Sequence, residues 1–147
     1  MRRGIGFAAL VLYLVGMAVA VGWPDGWEVN RLIVRIHFWV AGLGVPMPFG
    51  PDGTAVALNV LACIPPVALA VVLFRRTPWW AWVLAGILLS AAVEVTQTLA
   101  PVGRNGTVWD VVANGTGALI GGLLGLAWRT RTARDSGAAP TPPPAGR

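Results

Sequence analysis

Charge is what this sequence has least of. Only 12% of its 147 residues are Asp, Glu, Lys or Arg, where a soluble domain usually carries about 25%. A soluble chain of this length needs a polar shell around one core, and these residues are too few to build it. That excludes a free-standing soluble catalytic domain. Cysteine occurs once, as Cys63, so neither a disulfide framework nor a cysteine metal site is available. Cys63 lies inside an apolar block and reads as packing. Histidine also occurs once, as His37, and without a second His or Cys nearby a zinc site has no ligand set. It reads as a satisfied residue of an amphipathic stretch rather than a proton carrier. Lysine is missing altogether: all 11 basic residues are Arg, and they give a net charge of +5. These arginines stand mostly at the ends of apolar blocks, not in a phosphate-binding stripe, which speaks for membrane topology and against nucleic acid. No residue cluster calls for a metal or a cofactor.

What the sequence has in excess is apolar surface, 56% of its residues, gathered into long blocks. Four of them, Gly4–Gly22, Thr54–Phe74, Pro78–Leu99 and Thr107–Trp128, approach or reach the roughly 17–25 helical residues that cross a hydrocarbon core. Backbone polar groups cannot stay unpaired in lipid, so each block must be helical. The fold expected is an all-α, polytopic membrane bundle of about four transmembrane helices. Pro65 and Pro66 interrupt the second block and are expected to kink it.

Arg2 and Arg3, Arg75 and Arg76, and Arg129, Arg131 and Arg134 flank the blocks so that an even number of spans puts all of them on one side. The positive-inside rule makes that side, and both termini, cytoplasmic in a cell (plasma) membrane. The opposite side holds Arg31, Arg35 and Arg104, but also Asp25, Glu28, Asp52 and Asp110. The tryptophans agree: Trp23, Trp27 and Trp109 fall at one interface, and Trp79, Trp80, Trp82 and Trp128 at the other, where indole is best accommodated. The first block also resembles a signal peptide, with Met-Arg-Arg before it and Ala18-Val19-Ala20 near its end. Its apolar run is longer than a usual h-region, and retention as a membrane helix is the preferred reading. Residues 28–41 are too short to span and read as an interfacial or re-entrant helix. Residues 1–134 form one membrane domain; residues 135–147, ending Pro-Thr-Pro-Pro-Pro-Ala-Gly-Arg, read as a disordered cytoplasmic tail.

The informative residues are polar ones inside these blocks. Ser90, Glu94 and Gln97 share one helical face, lying within about 60° of each other. An ionisable group such as Glu94 costs roughly 2.5–3.5 kcal/mol at the bilayer centre, so it should face the bundle interior or a water-filled cavity. Asp110 and Asn114 share a face of the fourth block, and Gly117, Gly121 and Gly125 continue that stripe. Such a small-residue stripe admits a close neighbour, either the third span or another copy of the protein. The joining loop, Ala100 to Gly106, is short, so the third and fourth spans are antiparallel neighbours, and Arg104 within it is near enough to pair with Glu94 or Asp110.

The segment Ser90-Ala-Ala-Val-Glu94-Val-Thr-Gln97, then Arg104, then Asp110-Val-Val-Ala-Asn114-Gly-Thr-Gly117, resembles the VanZ-like family. Asn59 and the prolines after it are similar to that family's Asn-containing helix, although Ile64-Pro65-Pro66 stands where the family pattern ends Pro-Leu-Gly. The resemblance covers about Thr54–Leu126, with a weak match in the N-terminal third. It implies a small polytopic membrane protein of a family named for a member linked to resistance to the glycopeptide teicoplanin, with Asn59, Ser90, Glu94, Gln97, Arg104, Asp110 and Asn114 as a polar pocket. Its expected partners are membrane lipids, a lipid-linked envelope precursor and a second copy through the glycine stripe.

The simplest alternative for this set is a polar clasp between helices, since a single amide suffices as glue; two carboxylates and an arginine exceed what glue requires. Three functions fit a pocket. One is a membrane factor binding a lipid or cell-envelope intermediate at the outer leaflet. Another is an intramembrane enzyme on a lipid-linked substrate, with Glu94 or Asp110 as general base. The third is a small proton-coupled transporter or flippase, which needs oligomerisation to line a pathway.

Overall fold

Helices are the only elements these blocks can form in lipid, and they account for nearly all of the described chain. The computed structural model describes residues 2–46, 49–99 and 107–137. Its elements are α1 (Arg2–Val21), α2 (Gly26–Gly42), α3 (Pro51–Leu73), α4 (Trp79–Leu99) and α5 (Val108–Gly137), with no strand among the described residues. Helices α1, α3, α4 and α5 are long and apolar enough to cross a membrane. The chain is an all-α, multi-pass membrane bundle. Two boundaries differ from expectation by three residues or more. Helix α3 begins at Pro51, because proline at the first turn and Asp52 beside it suit a helix N-terminus. Helix α5 runs through Asp135 and Ser136 to Gly137, into the stretch expected to be tail; residues 138–147 lie outside the described residues.

Helix α2 is the interfacial candidate, and it is not among the four spans. Asp25 caps it, accepting from the Trp27 and Glu28 backbone N–H groups at 2.9 and 3.4 Å. After its end the chain turns at Gly44, whose φ of 79° is the left-handed conformation glycine adopts freely. The buried His37 shares a hydrogen bond of 2.8 Å with the buried Thr54 hydroxyl, which pins α2 to the start of α3. His37 is thus a docking residue with its partner on the next helix.

Helix α3 continues through Pro65 and Pro66 without a break. A proline has no N–H, so Pro66 leaves the carbonyl of Ala62 without its usual partner one turn on. In lipid that deficit must be met from elsewhere. The Tyr13 hydroxyl on α1 donates to the Ala62 carbonyl at 2.9 Å. Tyr13→Phe should therefore cost about 1–3 kcal/mol, the range for leaving a buried acceptor unmade. The cost should shrink towards zero in a Pro66→Ala background, where residue 66 regains its N–H. Thermal unfolding of the four proteins in one detergent checks this; an equal Tyr13→Phe cost in both backgrounds would show that the hydroxyl serves another purpose.

Helix α5 packs chiefly on α3 and then on α4. Val67 and Val71 of α3, Val83 of α4 and Ala118 of α5 form the buried core, with Trp79, Trp82 and Ile87 against it. The stripe of Gly117, Gly121 and Gly125 lies on α3: a side chain at Gly117 would meet the Val60 carbonyl, at Gly121 the Ile64 carbonyl, and at Gly125 the Ala68 carbonyl. The expected partner was the third span or a second copy; it is the second span. With all three glycines buried against α3, the stripe is not a free face for a homo-oligomer. A separate pair, Gly115 and Gly122, faces Ile87 and Val83 of α4. At the arginine-rich end, Arg129 donates to the Arg75 carbonyl and Arg75 to the Thr132 hydroxyl, tying the α3–α4 turn to α5.

Candidate functional site

Three helices meet with their polar positions in register. Asn59 of α3 donates to Asp110 Oδ1 of α5 at 2.7 Å, and Cys63, one turn further along α3, donates to Asn114 Oδ1 at 3.4 Å. The two pairs have the same sequence separation, 51 residues, as parallel helices in fixed register require. Across the other side of α5, Asn114 Nδ2 donates to Ser90 Oγ of α4 at 2.8 Å. Gly86 faces Ala118 one turn away, so α4 runs antiparallel to α5. Continuing that register one turn the other way brings Glu94 opposite Asp110. Glu94 is half-buried, with its Oε2 closed off from the surface.

The result is two polar tiers. The tier near the end of the bundle where α3 and α5 begin holds Asn59 and Asp110, with Glu94 at the same level of α4 by register. The deeper tier holds Cys63, Ser90 and Asn114, of which Ser90 is buried. Gly117 lies next below, against Val60 and Cys63, so close helix packing floors the cluster. Asp110 is held on both oxygens. Thr107, just before α5, donates to Asp110 Oδ2 at 2.7 Å, and the Asp110 N–H returns a bond to the Thr107 hydroxyl at 3.3 Å. This resembles a capping box, and a carboxylate in the first turn also suits the positive end of the helix dipole.

Not every residue expected in the pocket is in these tiers. Gln97 turns away from Asp110 and Asn114: its Nε2 lies 3.5 Å from the Val21 carbonyl, one of the last carbonyls of α1, which have no acceptor duty within their own helix. It joins α4 to α1 instead. Arg104 lies outside the described residues. Two members were not anticipated. Cys63, read as packing, is also a donor to Asn114, and its position four residues after Asn59 was the available signal. Thr107 was legible as the first residue of Thr-x-x-Asp before an apolar run.

Chemically, the cluster offers two carboxylates, two amides, two hydroxyls and a thiol, running from the exposed Thr107 at the start of α5 to the buried Ser90 between helices. Hydrogen bonds between helices in lipid average only about 0.6 kcal/mol, so one bond would suffice to set register, and the cluster supplies several. No curated protein and no solved structure matches the chain. The VanZ/LLP1 family model matches residues 5–129, taking in the N-terminal third as well as the polar segment, and the chain belongs to that family.

Proposed function

We propose that this protein is a non-enzymatic membrane factor that binds a lipid or cell-envelope intermediate at the polar cluster near the outer leaflet of the plasma membrane. The observation that carries the reading is the hydrogen-bonded set Asn59–Asp110 and Asn114–Ser90 across three helices, with the half-buried Glu94 one turn from Ser90 on α4. A clasp needs no second carboxylate, and an ionisable group at membrane depth marks a site for a polar ligand. The arginines at the Arg75–Arg129 end make that end cytoplasmic by the positive-inside rule, so the cluster falls in the outer half. A headgroup carrying hydroxyl, amide or phosphate groups suits such a cluster. The family's link to glycopeptide resistance favours an intermediate of the cell wall as ligand, and a bacterial setting.

The test is susceptibility to a panel of envelope antibiotics, teicoplanin included, in a host expressing the wild type or Glu94→Gln at equal membrane levels. The wild type should shift susceptibility, and Glu94→Gln should remove most of that shift while inserting normally. An undiminished shift in Glu94→Gln would remove the cluster from the function.

A further inference from the structure

A second feature lies apart from the polar cluster and does not depend on its function. Between the C-terminal half of α1 and the N-terminal half of α2 runs an open groove of about 610 Å³, within the range of about 300–1,000 Å³ typical of ligand pockets. Its two walls are unlike. The α1 wall is Gly16, Val19 and Ala20; the α2 rim carries Glu28, Arg31 and Arg35. Gly16 has open space where a side chain would stand, which gives the α1 wall its depth.

The rim carries one carboxylate and two guanidiniums, a formal excess of one positive charge, with the Asp25 carboxylate beside it. Glu28 is engaged by the Trp23 indole, whose Nε1 donates to Oε2 at 2.8 Å. Arg31 lies 3.8 Å from Asp25 Oδ2, a long contact to an exposed carboxylate that also caps α2. Arg35 enters no ion pair among the described residues. Arg31 and Arg35 are one helical turn apart, and like charges at that spacing repel unless an anion lies between them. Trp23 and Trp27 are exposed at the same end of α1, the level at which lipid headgroups lie.

A cationic rim facing an apolar wall at headgroup level suits a ligand that is itself divided into anion and hydrocarbon. Guanidinium groups take phosphate oxygens in paired hydrogen bonds. We propose that the α1–α2 groove is a binding site for an anionic phospholipid, with its phosphate on Arg31 and Arg35 and one acyl chain along Gly16, Val19 and Ala20. A soluble anion has no use for the apolar wall, and a zwitterionic lipid brings its own cation to the rim.

The experiment uses the full chain, reconstituted in vesicles of equimolar phosphatidylglycerol and phosphatidylcholine, extracted in mild detergent and weighed by native mass spectrometry for retained lipid. The wild type should retain phosphatidylglycerol preferentially. Arg31→Gln with Arg35→Gln should cut that preference by up to about thirtyfold, as expected for two interfacial arginines. Ala20→Phe, which fills the groove and keeps both arginines, should cut it as well. Arg76→Gln with Arg131→Gln removes equal charge from the far end and should leave the preference intact. The proposal is overturned if the groove variants retain phosphatidylglycerol like the wild type. It is equally overturned if the far-end pair loses as much, which would make the effect one of net charge. Displacement of the bound lipid by inorganic phosphate alone would also overturn it, in favour of a soluble-anion site.

Discussion

Gly121→Leu should unseat α5 from α3 and give the largest loss of stability of any single substitution considered. The Ile64 carbonyl and Cα stand where the new side chain must begin, and both belong to backbone that no rotamer change can move. Overpacking of a tight core costs about 1–3 kcal/mol, occasionally more, and a leucine against a rigid carbonyl belongs at or above the top of that range. Denaturation in mixed micelles, followed by circular dichroism, measures the loss. Gly4→Leu is the comparison, since Gly4 has open space around it, and its midpoint should hardly move. Equal midpoints for the two variants would mean that α3 and α5 are not held by the glycine contact. The substitution should also abolish function from a distance, because the Asn59–Asp110 and Cys63–Asn114 bonds depend on the same register.

Asp110→Ala should be the most damaging change within the polar cluster itself. It strips the acceptor from the half-buried Asn59 amide and from the exposed Thr107 hydroxyl, and stranding the Asn59 donor costs at most about 1–3 kcal/mol. The lost carboxylate at the helix N-terminus adds about 0.3–1 kcal/mol. Asp110→Asn keeps the shape and one acceptor oxygen and should cost less. A double-mutant cycle with Asn59→Leu isolates the shared bond. If the bond matters, Asp110→Ala costs less once Asn59 is already gone. Strict additivity of the two losses would place the effect of Asp110 in its cap alone.

Membrane residence and the four spans were legible because they follow from composition over a window of about 20 residues, and transfer to lipid is close to additive along the chain. Glu94, Asp110 and Asn114 were equally legible as candidates, since a polar residue in an apolar block stands out in any arrangement of the helices. Cys63 and Thr107 did not stand out. A lone cysteine is apolar enough to pass as packing, and a threonine before a helix reads as a cap until a carboxylate is seen against it. Gln97 failed the other way: it shares a helical face with Glu94, yet a side chain three residues further up the helix reaches a different neighbour, the end of α1.

By itself, the sequence determined that this protein lives in a membrane, where its helices begin to within a few residues, and that its polar groups gather towards one end. Only the tertiary structure decided which helix each face meets. The glycine stripe found α3 rather than α4 or a second copy, Tyr13 found the carbonyl that Pro66 leaves free, and Arg31 and Arg35 came to rim a groove against α1. The physical reason is that helix periodicity says which residues share a face but not how each helix is turned. Rotation and register are set by close packing and by the few hydrogen bonds that lipid leaves no other way to make.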